Sequence, residues 1–478
     1  MRKIALIVLL LLSCNSILHS QTIKYYNNIN TALDDAKIHA KPIFVYIDIQ
    51  HPIPPKPGIV IIKSGLEDHQ VAAYYNRTFI NVKLNYSDST FVSFKKIYPL
   101  ETKEFPIYLF FDAEGGLVYK GLSLNNSLGQ YYLDMAQQAL KVQASDKNIS
   151  KYETLRRQHK IDAATLKEYI ALKEKFGLYN NADLVDEYVD KLTIGAFNNY
   201  NEVLFILNAG PLAYGKAYNL CFSNRKITDS IYKTEPLEIR KAINNHIIVN
   251  TRNEAIRTRN FNLAIQLSNF VRGTWSNDYA RGNKAATEET IYYYNVVKDT
   301  ANYYRQASYF YDNYYMGISA DSARRLKVKA LNELKQNSTT RIKTLNAEIK
   351  KSNTSINSAG STKHKLALIS SSSVGNPIND VADILNNAAY NFYKLDTHNL
   401  NYLSKALVWS KRSIELSPDT WAYYDTLAHI LYRLSFYEEA LVEQKKAIQL
   451  AKQNSMAKSM NQVNPLITEL TKMQQHTL

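Results

Sequence analysis

The nine residues "KPIFVYIDI" (Lys41 to Ile49) form a continuous apolar run of strand length rather than an alternating one, the pattern of a central parallel strand covered on both faces. Ahead of it, "INTALDDAKIHA" places Ala32, Leu33 and Ala36 at helical spacing. Behind it, "EDHQVAAYYNRTF" reads as a helix and "INVKLNYS" as a second strand. "FPIYLFFDAEGGLVYKGL" then gives two strands joined by "DAEGG", whose glycines permit the positive φ of a hairpin turn, and "LGQYYLDMAQQAL" closes with a helix. Strand and helix in alternation, ending in a hairpin and a helix, predict a small α/β sandwich over 21–145.

From Ser150 onward the pattern changes to the helical period with little strand signal. "DAATLKEYIALKEKFG" begins at a capping Asp162 and ends at Gly177, and "NADLVDEYVDKL" follows after a short turn. Further pairs, such as "PLEIRKAINNHIIVNTRNEAIRTRN" with "FNLAIQLSNFVRGTW", predict an all-α, degenerate repeat-like body over 150–351. The tyrosines of "TIYYYNVVKDTANYYRQASYFYDNYYM" recur three and four apart, as hairpin packing requires. Arg324, Arg325, Lys327, Lys329 and Lys335 make the next stretch basic, either a solvated face or one suited to an anionic surface. Residues 352–377 are Ser-rich and read as a linker or long loop. Over 378–478, "LSKALVWSKRSIELSPD" and "YEEALVEQKKAIQLAKQ" align with Ala406 and Ala440 at equivalent places, the second preceded by "WAYYDTLAHILYRLSF".

Composition changes this picture mainly at the N-terminus. A positive end (Arg2, Lys3), an apolar run from Ile4 to Leu12 and Leu18-His19-Ser20 before Gln21 have the form of a signal peptide over 1–20. The run is too short to span a bilayer. Two endings stay open: release at Gln21 into the periplasm, or acylation of Cys14 within "LLSC" as a lipoprotein of the cell envelope. If Cys14 leaves, Cys221 is the one remaining thiol and no intramolecular disulfide can form. Its apolar neighbours in "YNLCFSN" mark it as buried and inert. The formal charge of +15 suits acidic partners or anionic surfaces, or simply solubility, and in an exported chain it does not point to nucleic acid. No metal-ligand spacing, nucleophile elbow or phosphate-cradling glycine loop is present, so neither a cofactor nor a catalytic group is expected.

The pieces "AKPIFVYID", "VAAYYNRTFINVKLN" and "FPIYLFFDAEGGLVYKG" come in an order that resembles the thioredoxin fold of exported bacterial proteins. Against that family's W-C-G-P-C-K motif this chain has His51, Pro52, Ile53, Pro54, Pro55 and Lys56, with proline at both cysteine positions. Thiol–disulfide exchange needs an attacking thiolate and a resolving thiol, and proline supplies neither. The resemblance therefore implies a redox-inactive domain. It also implies a cis bond at Pro106 and, at Phe105 before it, a backbone edge able to dock an extended peptide.

The C-terminal alignment resembles tetratricopeptide repeats, with Ala428, Ala440 and Ala447 where that family needs small residues and Pro418 at the turn between repeats. Gln444 stands where the family often has an aromatic residue. The resemblance implies a partner-binding concave face carrying Asp425, His429, Tyr432 and Arg433, with Asn386, Tyr390 and Tyr393 from the preceding helix. The alternative is that the repeats only pack on the helical body. Together these readings describe an exported, non-catalytic protein- or peptide-interaction protein, its partner unspecified. The competing reading is an auxiliary factor for thiol–disulfide or protein-folding enzymes of the cell envelope.

Overall fold

The structure is a computed structural model that describes residues 22–49, 63–86, 88–98, 100, 104–178, 180–275, 277–333, 336, 369–370, 372–373, 380–454, 457 and 461–478. The N-terminal stretch read as a leader, with Cys14, the His51 to Lys56 motif, Lys335 and most of the Ser-rich stretch lie outside the described residues. A small mixed α/β unit at the N-terminus is followed by a mostly helical one.

The first unit runs through Leu178 and takes in residues 369–373. Its five-stranded sheet comprises β1 (Tyr25–Tyr26), β2 (Ile43–Asp48), β3 (Ile80–Asn85), β5 (Ile107–Phe111) and β6 (Leu117–Lys120). The order is β1-β3-β2-β5-β6, with the first three parallel and β5 and β6 antiparallel to their neighbours. The apolar run becomes central β2, and its alternate residues supply both faces of the sheet. On one face Phe44, Tyr108 and Phe110 pack with Tyr75 of α2 (His69–Thr78) and Tyr132 of α4 (Gly129–Ala144). Helix α1 (Ile29–His39) buries Ala32 and Ala36, and α3 (Ser89–Ile97) buries Phe91 and Phe94. The hairpin turn is held by Asp112, whose Oδ1 accepts from the Glu114 and Gly116 amides at 3.0 and 2.7 Å. Gly115 sits there at φ 87°, and a Cβ on it would meet Leu33 Cδ2 at 2.6 Å.

Three features depart from the sequence reading. Helix α3 has no counterpart in it, although Phe91 and Phe94 stand one turn apart. The unit extends past 145, because α5 (Ile149–Arg157) and α6 (Ala163–Lys175) fold back onto it. Ser150 donates to Asp112, and Lys120 Nζ donates to the Phe176 carbonyl at 3.0 Å. Burial lowers the Lys120 pKa, and that carbonyl gives its ammonium a partner. Finally, residues 369–370 and 372–373 of the stretch read as linker form two short strands. β8 (Ile369–Ser370) pairs antiparallel with β7 (Asn125–Asn126), and β9 (Ser372–Ser373) pairs antiparallel with β4 (Glu104–Phe105). Serine's small side chain makes little demand on packing, so here backbone pairing decides the outcome.

The second unit is helical. It begins with α7 (Ala182–Asp190), α8 (Tyr200–Asn208), α9 (Lys216–Cys221), α10 (Arg225–Thr234), α11 (Leu237–Thr258) and α12 (Phe261–Gly273). α13 (Tyr279–Val297) and α14 (Thr300–Tyr311) follow, and α14 runs into a π-helical turn, Asp312–Met316. The fully buried Asn250 of α11 donates to the Ala209 and Gly210 carbonyls at 3.1 and 2.6 Å, fastening the end of α8. Tyr293, Tyr294, Tyr303, Tyr304 and Tyr315 are buried in a core with Phe392 and Trp409, so the dense tyrosines do serve helix packing. Toward the C-terminus the described helices are α15 (Val381–Lys394), α16 (Leu400–Leu416), α17 (Trp421–Arg433), α18 (Tyr437–Gln453) and α19 (Val463–Gln474). Ala389, Ala406, Ala428, Ala440 and Ala447 are all fully buried where these helices pack. Among the described residues no helix is long and apolar enough to cross a membrane.

Candidate functional site

The first unit presents one candidate surface, at the Phe105–Pro106 peptide, which is cis. The Phe105 side chain is fully buried, its ring edge-on to Tyr86 at 5.0 Å, so only its backbone faces a partner strand. That backbone pairs with Ser372, and Glu104 pairs with Ser373. The neighbouring edge, Asn125–Asn126, pairs with Ser370 and Ile369. Two residue pairs close together in the chain's own sequence, 369–370 and 372–373, thus occupy two strand edges of the unit.

Beneath these edges lies a knot of tyrosines centred on Tyr132. Its hydroxyl accepts from the Asn126 amide at 3.0 Å and donates to Asn125 Oδ1 at 3.0 Å, with Ser64 Oγ at 3.1 Å and Tyr108 OH at 3.3 Å. Tyr75 OH donates to the Tyr132 carbonyl at 2.8 Å, and Tyr46 OH donates to Asp48 at 2.6 Å. Burial raises the pKa of Tyr46, Tyr75, Tyr108 and Tyr132 alike, which keeps their hydroxyls protonated as hydrogen-bonding groups. In the second unit burial pushes the Cys221 thiol up to about 12, which leaves almost no thiolate at neutral pH.

The second candidate surface is built by α15, α17 and α19. Asp425 and His429 stand one turn apart on α17, and Glu469 reaches them from α19. His429 is buried, with Nδ1 2.8 Å from the Asp425 main-chain oxygen and Nε2 3.9 Å from Glu469 Oε2. The Tyr393 ring packs edge-on to His429 at 5.0 Å and lies against Tyr390 at 6.1 Å. Arg433 lies over the Tyr393 ring at 4.0 Å, donates to the Tyr393 carbonyl at 2.5 Å and pairs with Asp396 at 3.1 Å. Burial first, and then the Asp425 carboxylate hydrogen-bonded beside it, push the Glu469 carboxyl above its ordinary value.

Five of the sequence candidates, Tyr390, Tyr393, Asp425, His429 and Arg433, therefore meet in one cluster. Tyr432 does not join them, because it points to Tyr437 and His476 at 5.1 and 6.4 Å. Asn386 lies buried on α15 one turn before Tyr390, and its Oδ1 has no hydrogen-bond partner. The sequence reading missed Glu469, which is distant along the chain and belongs to the last helix, α19. It treated Gln444 as a departure from a pattern, whereas the Gln444 amide donates to Asp425 Oδ1 at 3.0 Å and to the Leu466 carbonyl at 3.2 Å. Compared with known families and curated proteins, the sequence matches no family model and no curated protein.

Proposed function

We propose that this chain is an exported, non-catalytic interaction protein whose first unit, a redox-inactive thioredoxin-like domain, takes up extended peptide segments along the edge at Glu104–Phe105. The sheet order and the antiparallel sense of β5 and β6 support the thioredoxin-like reading. The buried alanines at Ala406 and Ala440, thirty-four positions apart, support a tetratricopeptide-like reading of the last helices. The leader pattern supports export, and the proline-rich His51 to Lys56 motif supports the absence of thiol exchange.

The observation that carries the proposal is the antiparallel addition of residues 369–373 to two edges of the first unit. Strand addition supplies affinity through main-chain hydrogen bonds, so an edge that accepts one extended segment has the chemistry to accept another. The concave face of the last helices is the weaker candidate, because Arg433, Tyr393, His429 and Asp425 are already engaged with one another.

A labelled peptide of residues 366–376 tests the proposal, titrated by fluorescence anisotropy into the intact chain and into a Ser370→Pro, Ser372→Pro variant. Proline removes backbone donors from the internal segment and frees the edge. The variant should bind the peptide, the intact chain should bind it at least tenfold more weakly, and amide exchange near Phe105 should rise in the variant. Equal failure of both proteins to bind, with exchange near Phe105 unchanged, would sink the reading.

A further inference from the structure

The cluster on α17 and α19 carries an inference that is independent of peptide docking. One carboxylate oxygen from each of Asp425 and Glu469 and one imidazole nitrogen of His429 lie within 4.8 Å of one another. His429 Nδ1 faces a main-chain carbonyl, which can only accept, so Nδ1 carries the proton. In the neutral ring the lone pair is then on Nε2, the nitrogen that faces Glu469. A metal-bound imidazole is held in this way, with its other N–H fixed by a carbonyl or carboxylate. Asp425 is oriented in the same manner by the Gln444 amide.

A second observation points to a missing partner. Gln444 is fully buried, and its bond to Asp425 brings the end of its side chain to the cluster. Yet Gln444 Oε1 has no hydrogen-bond partner. Buried acceptors are almost always satisfied, so an orphan on the residue that bonds Asp425 marks a place for a donor such as a metal-bound water.

We propose that Asp425, His429 and Glu469 bind one divalent transition-metal cation, with zinc the best match. A mixed nitrogen and oxygen donor set suits zinc, whereas magnesium and calcium prefer oxygen alone. Three protein ligands leave a fourth position for water in a tetrahedral zinc site. Zinc held at about 2.1 Å by each donor needs donors about 3.4 Å apart, closer than the 3.9 Å between Nε2 and Glu469 Oε2, so the side chains must draw together on loading. The metal would tie α19 to α17 and close the inner face of the last helices.

The test uses the full chain stripped with EDTA, titrated with zinc chloride by calorimetry, beside Glu469→Gln and His429→Asn variants. Glu469→Gln keeps the shape of the side chain, so it remains informative if the histidine variant folds poorly. The intact chain should bind one equivalent of zinc, at least tenfold more tightly than either variant. Zinc should also slow amide exchange in Val463–Gln474 of the intact chain and leave it unchanged in Glu469→Gln. Failure to take up one equivalent, or equal affinity in the intact chain and Glu469→Gln, would overturn the proposal by placing any bound zinc on surface histidines.

Discussion

Tyr132→Phe isolates the hydrogen bonding of one hydroxyl from the packing of its ring. Phenylalanine keeps the edge-on contacts with Tyr108 and Tyr131, at 5.7 and 5.1 Å, and leaves no cavity. What it removes is the acceptor for the buried Asn126 amide, a donor to Asn125 Oδ1 and the contacts with Ser64 Oγ and Tyr108 OH. A buried donor deprived of its acceptor costs about 1–3 kcal/mol and the bond to Asn125 adds about 1 kcal/mol, so the total is at least about 2–4 kcal/mol. At 1.4 kcal/mol per factor of ten, amide exchange around Asn125–Asn126 should accelerate roughly 30- to 700-fold. Exchange read by mass spectrometry suits a chain with two compact units, where one global midpoint would mix two transitions. Tyr108→Phe is the control, since among the described residues its hydroxyl bonds only to Tyr132 OH, and that bond is long at 3.3 Å. If Tyr132→Phe accelerates exchange no more than Tyr108→Phe does, Tyr132 is a packing residue and its hydroxyl does not hold the edge.

Gly115→Val should destabilise the first unit by about 2 kcal/mol or more in urea unfolding, because it combines a positive φ with a close approach to Leu33. Arg433→Ala should cost the second unit about 1.5–3 kcal/mol, and Arg433→Lys should recover little, since a planar guanidinium both stacks on Tyr393 and bonds its carbonyl. In the chain expressed from Gln21, Cys221 should resist a thiol reagent at pH 8 until denaturant is added; labelling of the folded protein within minutes would contradict its burial. Burial lowers the pKa of His246, so the unfolded chain binds the proton more readily than the folded one. The second unit should accordingly be most stable above the ordinary histidine value of about 6.5 and lose stability as pH falls through it. His246→Gln should flatten that slope between pH 8 and 5.5.

How much was legible depended on whether a residue's neighbours lay close along the chain. The run at Ile43–Asp48 and the "DAEGG" turn declare themselves through continuous hydrophobicity and glycine placement, and both are found where the pattern put them. Helix Ser89–Ile97 was hidden because it is only nine residues long and shows just two buried phenylalanines, Phe91 and Phe94, to the sequence pattern. The boundary near 145 was misplaced because helix period cannot tell which core a helix joins. That is decided by the Lys120 bond to the Phe176 carbonyl and by the bond from Ser150 to Asp112. In the cluster, Asp425 and His429 were visible as a one-turn pair, whereas Glu469 enters only through the packing of α19. Strand pairing by a serine-rich segment has almost no sequence signature, because the backbone carries it.

The internal strand also sets the terms on which any partner could use the same edge. A segment tethered to its own docking site competes at an effective concentration on the order of millimolar. A free peptide that binds the vacant edge at roughly 100 μM would then be weakened about tenfold on the intact chain, since the tethered copy outcompetes it by that ratio. An isolated short peptide would register weakly, and a partner would need further contacts beyond the strand itself. The segment pairs with two edges through two residues each, so a competitor able to displace β9 alone still leaves β8 in place. The edge at Glu104–Phe105 could therefore open while Asn125–Asn126 keeps the segment tethered nearby. This makes Ser372→Pro alone the sharper perturbation: it should expose the Phe105 amide to exchange while Ile369–Ser370, paired with Asn125–Asn126, stay protected. Loss of protection at both edges together would mean that the five residues dock as one unit, and that a partner must displace all of them at once.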